Sequence, residues 1–337
     1  ENGVIELQSL NFPKRAQFHV NSIPYIKVGD WADYCRGAAK VLAEKWQLRY
    51  GLSAVIEGEL PIGGLSSSAS VIIAFMSALA TVNEIKLDEW NLIMMAKKAE
   101  NEYVGVNCGK LDQSCEVLGR AGSWLYLDCA NDSYSLISMP DTMPSYKIVI
   151  FFSGLERSLA DSAYNLRLDE CRAAAYDLLA FAGVKYGKFN DTVLRDVPTP
   201  IFEEYKEKLP INFRKRAEHF FSENARVKAG IKAWMAGDIV EFGRLVFESG
   251  KSSIQNYECG CPELITLYEI MTRTDGIYGG RFSGAGFKGC CIAIVDSKKV
   301  EDVLRNVEDE YLRIYPNMAG KYLSTVCSLA DGVGVQL

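Results

Sequence analysis

The chain reads as an α+β protein folded as two domains. Its 337 residues are about twice the length of a common single domain. Strand-like alternation and helix-like spacing recur in both halves. An apolar fraction of 48% against 24% charged is that of a globular protein with large cores, which disfavours long disorder or a coiled-coil rod.

Residues 4–8 alternate apolar and polar side chains, and 16–20 do so again after a Pro-Lys-Arg turn, so the chain opens with two strands. Trp31, Tyr34, Ala38, Val41 and Leu42 recur at three- and four-residue steps and predict a helix from 31 to 50. Residues 53–59 predict a strand, 61–68 a Gly- and Ser-rich loop, and 69–81 an apolar helix. A second helix spans 87–103, and 124–128 is a short strand. Residues 146–152 are almost continuously apolar, the mark of a buried strand. The second domain is placed there, giving domains of 1–145 and 146–337. Two long helices, about 160–183 and 213–236, flank a segment whose Pro198, Pro200 and Pro210 predict loops and a short helix. A strand at 287–295, a helix at 298–311 and a strand at 323–329 close the chain.

The 37 basic and 43 acidic residues leave a net charge of −6. That balance gives no general pull toward nucleic acid or an anionic membrane, and leaves room for a local phosphate or carboxylate pocket. The two histidines, His19 and His219, offer few candidates for a His-rich metal centre or a Ser/His/Asp triad. His219 and Glu223 share a helix face at i, i+4; with no third ligand in view, a structural role is expected. The ten cysteines include a C-x-C at Cys259 and Cys261 and an adjacent pair at Cys290 and Cys291. Neither has partners at zinc spacing, so buried thiols and a reducing, cytoplasmic setting are expected. No apolar run reaches the roughly 18 residues of a membrane span.

The most informative segment is Leu60-Pro61-Ile62-Gly63-Gly64-Leu65-Ser66-Ser67-Ser68-Ala69-Ser70, between a predicted strand and an apolar helix. Glycines admit a bulky anion close to the backbone, and amides at a helix start present free donors and the positive end of the dipole. Serine hydroxyls add donors and a hard oxygen for Mg²⁺. A Ser-capped helix after a Gly turn has the same composition, so both readings stand. No G-x-x-x-x-G-K-[ST] occurs, and this loop carries no G-x-G-x-x-G.

Gly64-Leu65-Ser66-Ser67-Ser68-Ala69 resembles the ATP-binding signature of the GHMP small-molecule kinases. Tyr278-Gly279-Gly280-Arg281-Phe282-Ser283-Gly284-Ala285-Gly286 is similar to the family's C-terminal glycine-rich motif in its galactokinase form. Gly105-Val106-Asn107-Cys108-Gly109-Lys110-Leu111-Asp112-Gln113 looks like the galactokinase segment with the catalytic aspartate. The loop departs from the usual Pro-x-Gly-x-Gly-Leu by being one residue shorter. Tyr164-Asn165-Leu166-Arg167, the stretch around His219 and Ser253-Ile254-Gln255-Asn256-Tyr257-Glu258 look closer to the galacturonokinase type.

The resemblance implies a ribosomal-protein-S5-like N-terminal domain and a ferredoxin-like C-terminal domain. It implies ATP and Mg²⁺ as cofactors and transfer of a phosphoryl group to the anomeric hydroxyl of a galactose-type sugar, D-galacturonate first and D-galactose as the alternative. Asp112 would be the base, with a plain helix cap as the bland alternative. Gly63, Gly64, Leu65, Ser66, Ser67 and Ser68 would hold the triphosphate, and Trp31 would lie near adenine unless it is a core tryptophan. Ser68 and Glu100 would contact the metal, although a glutamate on a helix can equally face solvent. Tyr164 would contact the sugar together with Asp112. Arg167 could meet a uronate carboxylate, but an internal ion pair with Glu170 or Asp169 is the preferred expectation.

The implied partner is a small sugar or sugar acid, with no nucleic acid or membrane, and the protein would be a monomer or weak homodimer. The family's Arg-x-x-x-x-Gly-x-His-type first motif does not occur in these residues. Roughly 40 to 60 further residues upstream are therefore expected from ordinary domain anatomy. From another functional class, the family also contains sensors that bind ATP and sugar without needing turnover.

Overall fold

The computed structural model describes residues 2–60, 64–106, 108–155, 161–284, 286–287 and 289–336, without the side chains of 161–164. It is α+β, and the chain divides into two compact units. Among the described residues the division is not a single cut: 329–336 group with the first unit, whereas Gly64–Leu65 and those between 138 and 328 form the second. Among the described residues, no helix is long and apolar enough to cross a membrane.

In the first unit β1 (Val4–Ser9) pairs antiparallel with β2 (Ala16–His19) and parallel with β3 (Ser53–Ile56). The inward residues Ile5, Leu7 and Phe18 meet an apolar layer from α1 (Asp33–Ala43), α2 (Ser67–Val82) and α3 (Glu89–Lys98). Helix α1 is shorter than its spacing predicts. Trp46 and Leu48 still pack on the core from the turn after it, so their apolar positions mimic a longer helix. The predicted 87–103 helix changes character at Ala99–Val104, a π-helical stretch closed by Gly105 at φ 86°. Then follow α4 (Leu111–Leu118) and the hairpin β4 (Ser123–Asp128) to β5 (Ser133–Ser138).

The second unit holds an antiparallel sheet built from β6 (Tyr146–Phe152), β7 (Ile277–Phe282), β8 (Cys290–Asp296) and β9 (Leu323–Cys327), in the order β7-β8-β6-β9. Its helices are α5 (Asp161–Phe181), α6 (Thr199–Tyr205), α7 (Ile211–Met235), α8 (Ile239–Gln255), α9 (Pro262–Arg273) and α10 (Val300–Ile314). The predicted strand from 287 begins only at Cys290, because Gly289 takes φ 100°.

Strand β7 lies inside the glycine-rich motif, and its glycines serve contact rather than a turn. A Cβ on Gly243 of α8 would fall 2.1 Å from the Tyr278 carbonyl oxygen, and one on Gly279 would fall 2.3 Å from the Gly243 carbonyl oxygen. Helix and strand therefore touch backbone to backbone. Replacing Gly243 with Ala should force α8 off β7 and cost about 2 kcal/mol or more, as overpacking does. Urea denaturation measures this, and a loss below about 0.5 kcal/mol would contradict the close-contact account.

Candidate active site

The site begins at the start of α2. Ser66 precedes the helix at φ 56°, in the left-handed region, and no side chain caps the helix. The first-turn amides have no acceptor within a helix, so this terminus offers donors and a positive dipole end to an anion. The Ser-capped alternative is thus not what the chain adopts. Ser66 and Ser68 are half-buried and Ser67 is exposed. A non-glycine residue held at positive φ costs on the order of 1 kcal/mol, and such strain gathers at functional turns.

Within the second unit, Gly64 has φ 80°, and a Cβ there would lie 2.9 Å from the Cys290 amide nitrogen. Leu65 packs beside Ile150, Phe152 and Cys290. Gly284 also approaches this segment, its would-be Cβ lying 3.9 Å from the Gly64 carbonyl oxygen. Gly63 lies outside the described residues.

Asp112 sits in the first turn of α4, and its side chain does not cap the helix. It is half-exposed, and among the described residues its carboxylate makes no hydrogen bond or ion pair. The next residue, Gln113, is 1% exposed and donates from Nε2 to Glu100 Oε2 at 2.8 Å. This bond links the aspartate's helix to the π-helical stretch. Glu100 is 4% exposed, so it does not lie on a solvated helix face. A buried carboxylate and an open helix terminus in one unit fit a hard, oxygen-seeking cation that keeps waters and phosphates as its other ligands. Among the described residues no group of three or more His, Cys, Asp or Glu could enclose a metal alone. Burial, together with the charges of Glu100 and Asp112, pushes the Cys108 thiol up to about 11. That thiol stays protonated and is not a nucleophile at neutral pH.

The other predicted residues have the following surroundings. Trp31 donates its indole N–H to the Lys14 carbonyl oxygen at 2.7 Å and stacks on Phe12 at the edge of the first core. Tyr164 lies in α5, and its side chain is outside the described residues. Arg167 donates to Glu170 Oε2 at 3.0 Å and to the Glu258 carbonyl oxygen at 3.2 Å. Its internal pairing is thus the one formed. The fully buried Arg216 completes that cluster with bonds to Glu170 and Glu258. His219 binds Ser252 Oγ at 2.9 Å through Nδ1, and Glu223 binds Arg226 and Ser249, so each has its own structural partner. Burial pushes His219 down to about 4.

One participant was not foreseen from the sequence. Glu116 follows Asp112 by one turn, and its Oε1 accepts a hydrogen bond from Ser70 Oγ at 2.7 Å. Its Oε2 is buried and finds no partner among the described residues. The i, i+4 spacing from Asp112 was the available signal.

Burial pushes the Glu116 carboxyl from 4.5 up to about 7; the Ser70 bond opposes the shift, and the charges of Asp112 and Glu100 add to it. The folded chain therefore holds a proton that the unfolded chain releases between these values. Stability from this group falls as pH rises from about 4.5 to 7. E116Q mimics the neutral acid, so its stability relative to wild type should rise by roughly 1–2 kcal/mol between pH 5 and pH 8, a range discounted for partial exposure. Urea denaturation at the two pH values measures this, and a gap that does not change with pH would contradict it.

The GHMP kinases N terminal domain family matches residues 33–120, and the GHMP kinases C terminal family matches 228–313. The chain is 40% identical over 315 residues to a galacturonokinase of Arabidopsis thaliana, covering 91% of this chain and 74% of that protein. It is 35% identical over 306 residues to a galactokinase of Roseiflexus sp., covering 90% and 75%. A crystal structure of Lactococcus lactis galactokinase complexed with galactose matches with a TM-score of 0.88 at 29% identity, covering 98% of this chain and 84% of that one. A Methanococcus jannaschii mevalonate kinase, at 17% identity and a TM-score of 0.62, shares the fold. With both family domains matched in order, and the serine turn and Asp112 inside the first of them, the chain belongs to the GHMP kinase family.

Proposed function

We propose that this chain is an ATP-dependent sugar-1-kinase that phosphorylates the anomeric hydroxyl of a galactose-type sugar, with D-galacturonate as the preferred substrate. The observation that carries this reading is the uncapped start of α2, in the same compact unit as Asp112 and the buried Glu100. Residues 1–145 would form the ATP-binding domain and 146–337 the C-terminal domain.

The amides and hydroxyls of Ser66, Ser67 and Ser68 would hold the triphosphate, with Gly63, Gly64 and Leu65 shaping the approach and Trp31 beside the adenine. Ser68 and Glu100 would hold Mg²⁺, which when bound offsets phosphate charge. Asp112 would accept the proton of the sugar's anomeric hydroxyl as the new oxygen–phosphorus bond forms and ADP leaves. A half-exposed carboxylate with no competing partner among the described residues suits that task. Positioning and charge stabilisation supply most of the acceleration in such transfers. Tyr164 would pack against the sugar ring.

The preference for galacturonate is supported by the higher identity to the galacturonokinase. Galactose is the second reading. One observation favours it: Arg167, three residues from Tyr164, is engaged by Glu170 and the Glu258 carbonyl and so is not presented as a uronate receptor. The test is ATP consumption with galacturonate, galactose and glucuronate offered separately. We expect the highest kcat/KM for galacturonate, by tenfold or more over galactose, about 1.4 kcal/mol of discrimination. Turnover of galactose alone would replace the substrate, and sugar binding without turnover would favour a sensor.

A further inference from the structure

Helix α4 has only eight residues, and no side-chain hydrogen bond caps it. Two turns of helix are marginal on their own, so neighbours must fix the rotation and depth of α4. Burial of Val117 and Leu118 in the first core and three polar contacts do so. Gln113 holds it to Glu100. The segment near the end of the chain holds its far end, where the Val333 amide donates to the Glu116 carbonyl oxygen at 2.7 Å and the Gly332 amide to the Gly119 carbonyl oxygen at 2.9 Å. The third is the bond from Ser70 Oγ to Glu116 Oε1 at 2.7 Å. Among the described residues this is the hydrogen bond that joins the side chains of α2 and α4.

The two ends of that bond sit at informative places. Ser70 lies two residues past Ser68; its amide donates to the Ser66 carbonyl oxygen at 3.1 Å, and its hydroxyl lies 3.4 Å from the same oxygen. Glu116 lies one turn past Asp112 on one face of α4. The bond thus runs from the first turn of the serine helix to the face that carries the aspartate. Among the groups facing Glu116 are Asp112 and Cys115 from its own helix and Glu100 from the π-helical stretch. None is a cation, so an ion pair does not account for the placement of this carboxyl.

We propose that Glu116 is a positioning residue for phosphoryl transfer: its hydrogen bond from Ser70 fixes α4 against α2 and so aims Asp112 relative to whatever the serine turn holds. This rests on the reading of Asp112 as the base. A displacement of about 1 Å in a reacting group can cost on the order of 100-fold in rate. Loss of the bond should therefore act on kcat more than on nucleotide binding.

The test measures kcat, KM for ATP, KM for sugar and Tm for S70A, E116A, the double variant and E116Q, with D112N alongside. Each single alanine variant should lower kcat about 10- to 50-fold with KM for ATP within about threefold. The double variant should be no worse than either single, because one interaction is removed in all three. E116Q keeps an acceptor for Ser70 and should recover most of the loss. D112N should lower kcat about 100-fold or more. A drop in Tm with kcat preserved, or additive losses in the double variant, would overturn the positioning role while D112N still fails. Wild-type kcat in D112N would overturn the base and, with it, the aim assigned to Glu116.

Discussion

The account depends on an unmet demand for hydrogen bonds at the start of α2. The first amides of any helix lack internal acceptors, and most helices answer this with a Ser, Thr, Asp or Asn side chain. This helix has three serines at its start and uses none as a cap, while Ser66 holds a left-handed backbone conformation. The donors and the helix dipole are therefore left for a guest, and the guest they suit is an anion. In sequence the turn follows a glycine with no room for a side chain, and the same unit as α2 holds two acidic helix segments braced to one another.

A net charge of −6 is no obstacle to binding a polyanion by this means. Backbone amides and a helix terminus supply positive potential without a basic surface. The carboxylates around the turn serve other ends. Glu100 is buried and bonded to Gln113, Asp112 keeps access to solvent, and Glu116 is driven toward its neutral form. Three acidic residues in one compact unit thus meet three different surroundings.

Much of this was legible in the sequence. The serine-glycine loop stood out because its residue types and spacing carry chemistry, Asp112 and Glu100 stood out only through the family resemblance, and the α+β alternation gave the fold class. What was not legible depended on contacts between distant residues. Gly279 and Gly280 lie in a strand that local pattern did not predict, where α8 presents Gly243 to the same backbone. Trp46 and Leu48 stretched the apparent length of α1 because burial in a turn has no period of its own. Glu116 went unnoticed because its partner Ser70 is 46 residues away. Local pattern reports which face is apolar, whereas a buried polar group is explained only by what it meets.

The central claim is transfer of a phosphoryl group to one particular oxygen, and the product reports it directly. Phosphorus-31 NMR of a reaction of the protein with ATP and galacturonate should show ADP and a sugar phosphate whose phosphorus couples to the anomeric proton. ADP with inorganic phosphate alone, or a phosphate ester on any other carbon, would contradict the account.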